Sequence, residues 1–127
     1  VATAEPSNKA NESAAKLRQS LNQIFAEKSS RLVAYGDFSA IKIHADFEGP
    51  HPTTDDEIPF GCDWRRLDTK ADGRLGHAFR CALLLGGVDW FGWGGSTSLA
   101  HSDADISQTT QAFSNAIDML REDRFNV

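Results

Sequence analysis

Ile106, Thr110, Phe113, Ile117 and Leu120 recur at intervals of three or four residues near the end of the chain. That is the period of one face of an α-helix, and a strand could not present them together. The start of this helix is marked as clearly. Ser102 stands where an N-cap belongs, and Asp105 follows three residues on, a capping box with Asp in place of Glu. Asp103 places negative charge in the first turn, where the helix dipole favours it. A second stripe, Ala10, Ala14, Leu17, Leu21, Ile24 and Phe25, predicts a helix over 8–27 with Lys16, Arg18 and Gln19 toward solvent. Two helices with one apolar face each require another layer to cover those faces.

Short β segments between them can supply that layer. Residues 31–35 read as a strand ended by Gly36 and Asp37, and 38–45 as a second. In the second, Ser39, Ile41 and Ile43 share the better core face, with Phe38, Ala40, Lys42 and His44 opposite. The stretch 46–73 carries three of the four prolines and the acids Asp55, Asp56 and Glu57, and reads as one long functional or packing loop. A helix is expected over 75–85, with Leu75, Phe79, Ala82 and Leu83 inward and Gly86 and Gly87 stopping it. Strands are expected at 88–91 and 96–100, joined by a turn at Gly92, Trp93, Gly94 and Gly95. The order implies a two-layer α/β fold of the α+β kind, with helices over a small, mainly antiparallel sheet.

At 127 residues the chain has room for one domain, 1–127. A net charge of −5 argues against a general nucleic-acid binder, and the longest apolar run, Cys81 to Leu85, is far short of the roughly 20 residues that span a bilayer. Cys62 and Cys81 lack metal-ligand spacing, which suits a reduced, cytoplasmic protein, although two cysteines also permit one disulfide. The chain opens at Val1 and its only methionine is Met119, so it is expected to be a fragment whose upstream part was a larger enzyme, a pro-segment or a targeting peptide.

The chemistry-bearing residues are sparse. His44, His51, His77 and His101 lie at unrelated spacings, and a metal-dependent hydrolase built on His44, Asp46 and His101 ranks last among the readings. Asp55, Asp56 and Glu57 read as a solvated acidic run. Ser96 lacks the serine-hydrolase elbow, and the glycines at 92–95 lead into a strand rather than a helix, which disfavours phosphate binding. The distinctive cluster is Trp90, Phe91, Trp93, Gly94, Gly95 and Ser96. Aromatics beside glycines can wall a small-molecule pocket, and they can equally fill a core while the glycines turn the chain. Both readings stay open on the residues alone.

The segments Phe79–Trp90, then Ser98-Leu99-Ala100-His101-Ser102-Asp103-Ala104-Asp105-Ile106, then Thr110, Ala112, Phe113 and Ala116 resemble the C-terminal domain of class III pyridoxal-phosphate (PLP) dependent aminotransferases. The glutamate-1-semialdehyde aminomutase-like branch is the nearest in flavour, through Leu85-Gly86-Gly87-Val88 and the segment 98–106. Leu17, Arg18, Leu21, Asn22, Tyr35, Gly36, Phe38 and Ser39 fit upstream, so the resemblance runs along nearly the whole chain. It implies the small domain of a fold-type I PLP enzyme, with the cofactor held mainly by an absent large domain that carries the Schiff-base lysine. Lys9, Lys16, Lys28, Lys42 and Lys70 have no matching context, so the chain by itself is expected to be inactive.

The resemblance further implies that Trp90, Phe91, Trp93, Gly94, Gly95 and Ser96 form part of the wall around an amine or amino-acid substrate. No residue of the chain is assigned a catalytic role, no metal is expected, and the parent enzyme is expected to be a homodimer. In the aminomutase branch the segment before the Ser-Leu-Ala-His motif is longer and carries a glutamate; 89–97 is shorter and has none. That departure points toward a transaminase. A non-catalytic dimerisation or regulatory domain is the competing reading.

Overall fold

The structure is a computed structural model and describes residues 4–127. Four helices pack on a three-stranded antiparallel sheet of order β1-β2-β3. Helix α1 spans Glu5–Glu27, strand β1 Val33–Tyr35 and strand β2 Ala40–His44. A 3-10 turn, Pro59–Cys62, and the short helix α2, Trp64–Leu67, follow. Helix α3 is Gly73–Leu85, strand β3 is Gly94–Ser96, and helix α4 is Asp103–Glu122. The two-layer α+β arrangement expected from the periodicities is the one observed.

Both predicted stripes face the core. Leu17, Leu21 and Phe25 of α1 meet Phe113, Ile117 and Leu120 of α4, with Phe79 and Leu83 of α3 beside them. Ile41 and Ile43 close this layer from the sheet, 1% and 4% exposed. Helix α1 starts at Glu5 rather than at residue 8, with Pro6 in its first turn, where a missing N–H costs nothing. All three long helices end alike. At α3, the Gly87 N–H reaches the Leu84 carbonyl and the Val88 N–H reaches the Leu83 carbonyl, the two bonds of a Schellman motif. Ser29 and Arg124 occupy the matching left-handed position after α1 and α4, with φ of 49° and 66°.

Three expectations about the later strands are corrected. Residues 88–91 form no strand, because Trp90 turns into the core and commits the segment to side-chain packing instead of a ladder. Residues 96–100 are not a strand beyond Ser96; the Ser98 backbone N–H and hydroxyl engage His101, and 99–100 form a turn. The strand is made by the glycines read as a turn. Gly95 pairs with Ile41, and a Cβ on Gly95 would lie 3.2 Å from the Trp90 ring, so glycine lets sheet and indole approach closely.

The segment 46–73, read as one structureless loop, contains the 3-10 turn and α2, and folds back over the outer face of the sheet. Phe60 meets the ring of His44 edge-on at 5.0 Å, so His44 is 7% exposed although it lies on the face opposite Ile41 and Ile43. Arg18 is not solvent-facing. It is 4% exposed and makes two bonds to Asp55, at 2.6 and 2.7 Å, while also donating to the carbonyls of Phe38 and Ala40. Asp55 is therefore a tether holding the loop to α1 and the sheet, not a solvated acid. Asn22 acts as a further stitch, giving and accepting 2.8 Å bonds with the Ala34 backbone and closing the free edge of β1.

Candidate functional site

Strand β3 separates two depressions, and the aromatic-glycine cluster is divided between them. One, of about 270 Å³, is lined by Trp90, Phe91, Gly94, Gly95 and Ser96, with Asp89, His101 and Asp105 at its polar side. The other, of about 400 Å³, contains Trp93 and Gly94 together with Tyr35, Lys42, His44 and Lys70. Only Gly94 lines both.

Each aromatic has a different setting. Trp90 is 6% exposed and meets Phe113 edge-on at 5.1 Å, so it is at once core and wall. Phe91 is 80% exposed, with the Arg80 guanidinium 5.4 Å from its ring centre. Trp93 is half-buried and stacks on Phe79 at 5.3 Å with 12° between the planes. Gly76 of α3 faces the Trp93 indole nitrogen, and a Cβ there would lie 3.4 Å away.

The sequence offers His101 only as a candidate metal ligand and Asp105 only as a capping residue, and the structure places both beside Trp90. His101 Nδ1 accepts the Ser98 backbone N–H at 2.9 Å, so that nitrogen is already engaged and is not free to act as a base on the Ser98 hydroxyl 3.2 Å away. Asp105 completes the capping box by accepting the Ser102 N–H at 2.6 Å and hydroxyl at 2.9 Å. Those bonds, the backbone one foremost, hold its carboxyl below the usual carboxylate range. Asp89 accepts from Arg80 at 3.1 Å. Thr97 anchors the end of β3 by donating to the Ala10 carbonyl at 2.6 Å.

In the second depression, burial pushes His44 below the ordinary imidazole range, opposed by its bond to the Leu67 carbonyl. Burial, together with Asp68, raises Tyr35. Among the described residues no three His, Cys, Asp or Glu side chains come together as a metal site, and His44 and His101 line different depressions. Cys62 and Cys81 are free thiols. No helix among the described residues is long and apolar enough to cross a membrane.

The lysines test whether these residues could hold PLP unaided. Lys9, Lys16 and Lys28 are paired with Glu5, Asp103 and Asp118 at 3.3, 3.4 and 2.7 Å. Lys42 and Lys70 are exposed beside the open second depression. Neither setting is the enclosed, lysine-centred cradle that this cofactor needs, so the chain does not fit PLP by itself.

No family model and no curated protein matches the sequence. Solved structures do match the fold. An omega-transaminase from Sphaerobacter thermophilus superimposes with a TM-score of 0.65 at 17% identity, over 88% of this chain and 24% of that one. A beta-phenylalanine aminotransferase from Variovorax paradoxus superimposes with a TM-score of 0.66 at 22% identity, over 90% of this chain and 24% of that one. At such identities the likeness is one of fold. The chain spans about a quarter of the length of these neighbours, 24% in each, and its fold is that of one domain of an aminotransferase.

Proposed function

We propose that this chain is the small C-terminal domain of a PLP-dependent aminotransferase, which moves an amino group between an amine or amino acid and a keto acid or aldehyde. The observation that carries the reading is the likeness to domains of two aminotransferases over 88% and 90% of the chain. The 98–106 motif supports it independently, since those residues build the turn and capping box that open α4 beside the Trp90 depression. In this reading a large domain supplies the cofactor and its lysine, in a cytoplasmic homodimer. When bound, PLP supplies the electron sink for the chemistry.

The role of this domain is the substrate-side wall. Phe91 offers an exposed ring at the rim, Trp90 a fixed floor, and Gly94, Gly95 and Ser96 a flat edge that a ligand can approach closely. Trp93 belongs to the wall through the second depression. The reading is of a transaminase in the aminomutase-like branch rather than of an aminomutase, because 89–97 carries no glutamate.

The wall is tested by Phe91→Ala in the complete enzyme. The exposed ring contributes nothing to the core, so folding is expected to be unchanged. The KM for arylalkyl amines is expected to rise about tenfold, equivalent to roughly 1.4 kcal/mol of lost contact. Unchanged kinetics across a panel of aromatic and aliphatic amines would remove Phe91 from the wall.

A further inference from the structure

Helix α3 turns Phe79, Ala82 and Leu83 into the core and leaves His77 and Cys81 on its outer side, both exposed. They stand four residues apart, about one helical turn, so one side chain lies above the other. His77 Nε2 and Cys81 Sγ approach to 3.8 Å. Neither residue lines the depressions beside β3, so the proposed function makes no use of the pair.

The separation of the two atoms decides what the pair suits. As a direct contact between thiol and imidazole, 3.8 Å is loose. A zinc ion bound at about 2.0 Å to nitrogen and about 2.3 Å to sulfur, with a tetrahedral angle between them, holds those atoms about 3.6 Å apart. A slight rotation of either exposed side chain closes that difference. The spacing is the mixed form of the His-x3-His pair that sets two zinc ligands on one helix face. No metal is expected from the histidine spacings alone, because this pair joins a histidine to a cysteine. Arg80, next to Cys81 in the chain, is engaged by Asp89 at 3.1 Å. Among the described residues no third His, Cys, Asp or Glu joins the pair to complete a closed site. From this geometry we infer that His77 and Cys81 form an open, two-ligand site for a zinc-class divalent ion, with water in the other positions. One nitrogen and one thiolate suit such an ion, whereas magnesium and calcium take oxygen ligands. On binding, the thiol gives its proton to solvent and the imidazole binds through an unprotonated Nε2. The ion then clamps two adjacent turns of α3.

Cobalt(II) is the probe, because it occupies nitrogen–sulfur zinc sites and reports sulfur ligation through a charge-transfer band in the near ultraviolet. Titrated into the reduced 127-residue chain, it is expected to raise that band to saturation at one ion per chain. Zinc should abolish the band and magnesium should not. Cys62→Ser, at the other free thiol, should behave as the parent. Cys81→Ser should lose the band. His77→Gln, which keeps the thiol, should weaken binding by roughly tenfold or more, the least that disturbing a ligand's partners costs. All three substitutions fall on exposed side chains, so the fold is expected to be kept. An ion that binds only the folded chain stabilises it, so zinc should raise the Tm of the parent and of Cys62→Ser but not of Cys81→Ser. A band that never forms, that survives in Cys81→Ser, or that is as readily formed in His77→Gln overturns the assignment. Saturation at one ion per two chains overturns it as well, since a second copy would then fill the open positions. None of these outcomes bears on amino transfer by the complete enzyme, so the proposed function stands or falls separately.

Discussion

Arg18 shows how far a single residue can depart from its sequence pattern. It sits on the flank of the α1 stripe, between Leu17 and Gln19, where periodicity alone assigns it to solvent. Its burial is decided by Asp55, 37 residues away, and by two carbonyls at the turn into β2. No local pattern encodes a partner that distant. Replacing Asp55 with Ala would leave a buried guanidinium short of its charged acceptor, and roughly 2 kcal/mol of stability is expected to be lost. Asp56→Ala, at the exposed neighbour, should stay within about 0.5 kcal/mol of the parent. Equal denaturation midpoints for the two variants would show that the tether contributes nothing.

His44 carries a pH prediction at the same scale. Burial lowers its folded-state pKa, so below the ordinary imidazole range the unfolded chain takes up a proton that the folded chain refuses. Stability should therefore fall as pH drops from the unfolded imidazole pKa down to the lowered folded value, and then level off for this group. In His44→Gln that part of the pH dependence should vanish. Melting temperatures recorded across the window would check it, and parallel curves for the two proteins would contradict it.

The helices were legible in the sequence and the later strands were not, and the reason is the kind of signal each carries. Helices α1, α3 and α4 announce themselves by period, cap and stop: the Ser102–Asp105 box expected from spacing is formed, and Gly87 takes the left-handed position expected after α3. Strand β3 has no such signal. Gly94 and Gly95 have low strand propensity, yet they pair with β2, and at Gly95 the absence of a side chain lets the sheet lie close against the Trp90 ring. Trp90 and Phe91 could not be sorted from sequence either, as adjacent aromatics with 6% and 80% exposure differ only in what packs on them. The helix ends give a test at this scale. Ser29 holds a left-handed conformation where glycine would be unstrained, so Ser29→Gly should stabilise by about 1 kcal/mol. Gly87→Ala should destabilise by about the same amount. Denaturant titration measures both, and shifts of the same sign would refute the shared end geometry.

At the scale of the molecule, a layer architecture is more legible in the residue pattern than a function. Two amphipathic stripes and a pair of short strands admit few arrangements, and the observed one is among them. The covering of the sheet's outer face was hidden because 46–73 has turn composition yet folds back through Phe60, Pro59 and the Arg18–Asp55 pair. The aromatic-glycine cluster was visible as a cluster, but its division across β3 into two depressions depends on which side of a three-residue strand each side chain takes. In the proposed function the domain contributes a shaped wall with little titrating machinery, and a partner domain would supply the reacting groups.

The most direct measurement is amino transfer by the complete polypeptide that carries these 127 residues, supplied with PLP, from a panel of amines and amino acids to a keto acid. The account predicts cofactor-dependent transfer that is strongest for donors with an apolar or aromatic portion. A correctly folded, cofactor-loaded polypeptide that transfers no amino group from any donor would contradict it and leave a dimerisation or regulatory domain as the reading to pursue.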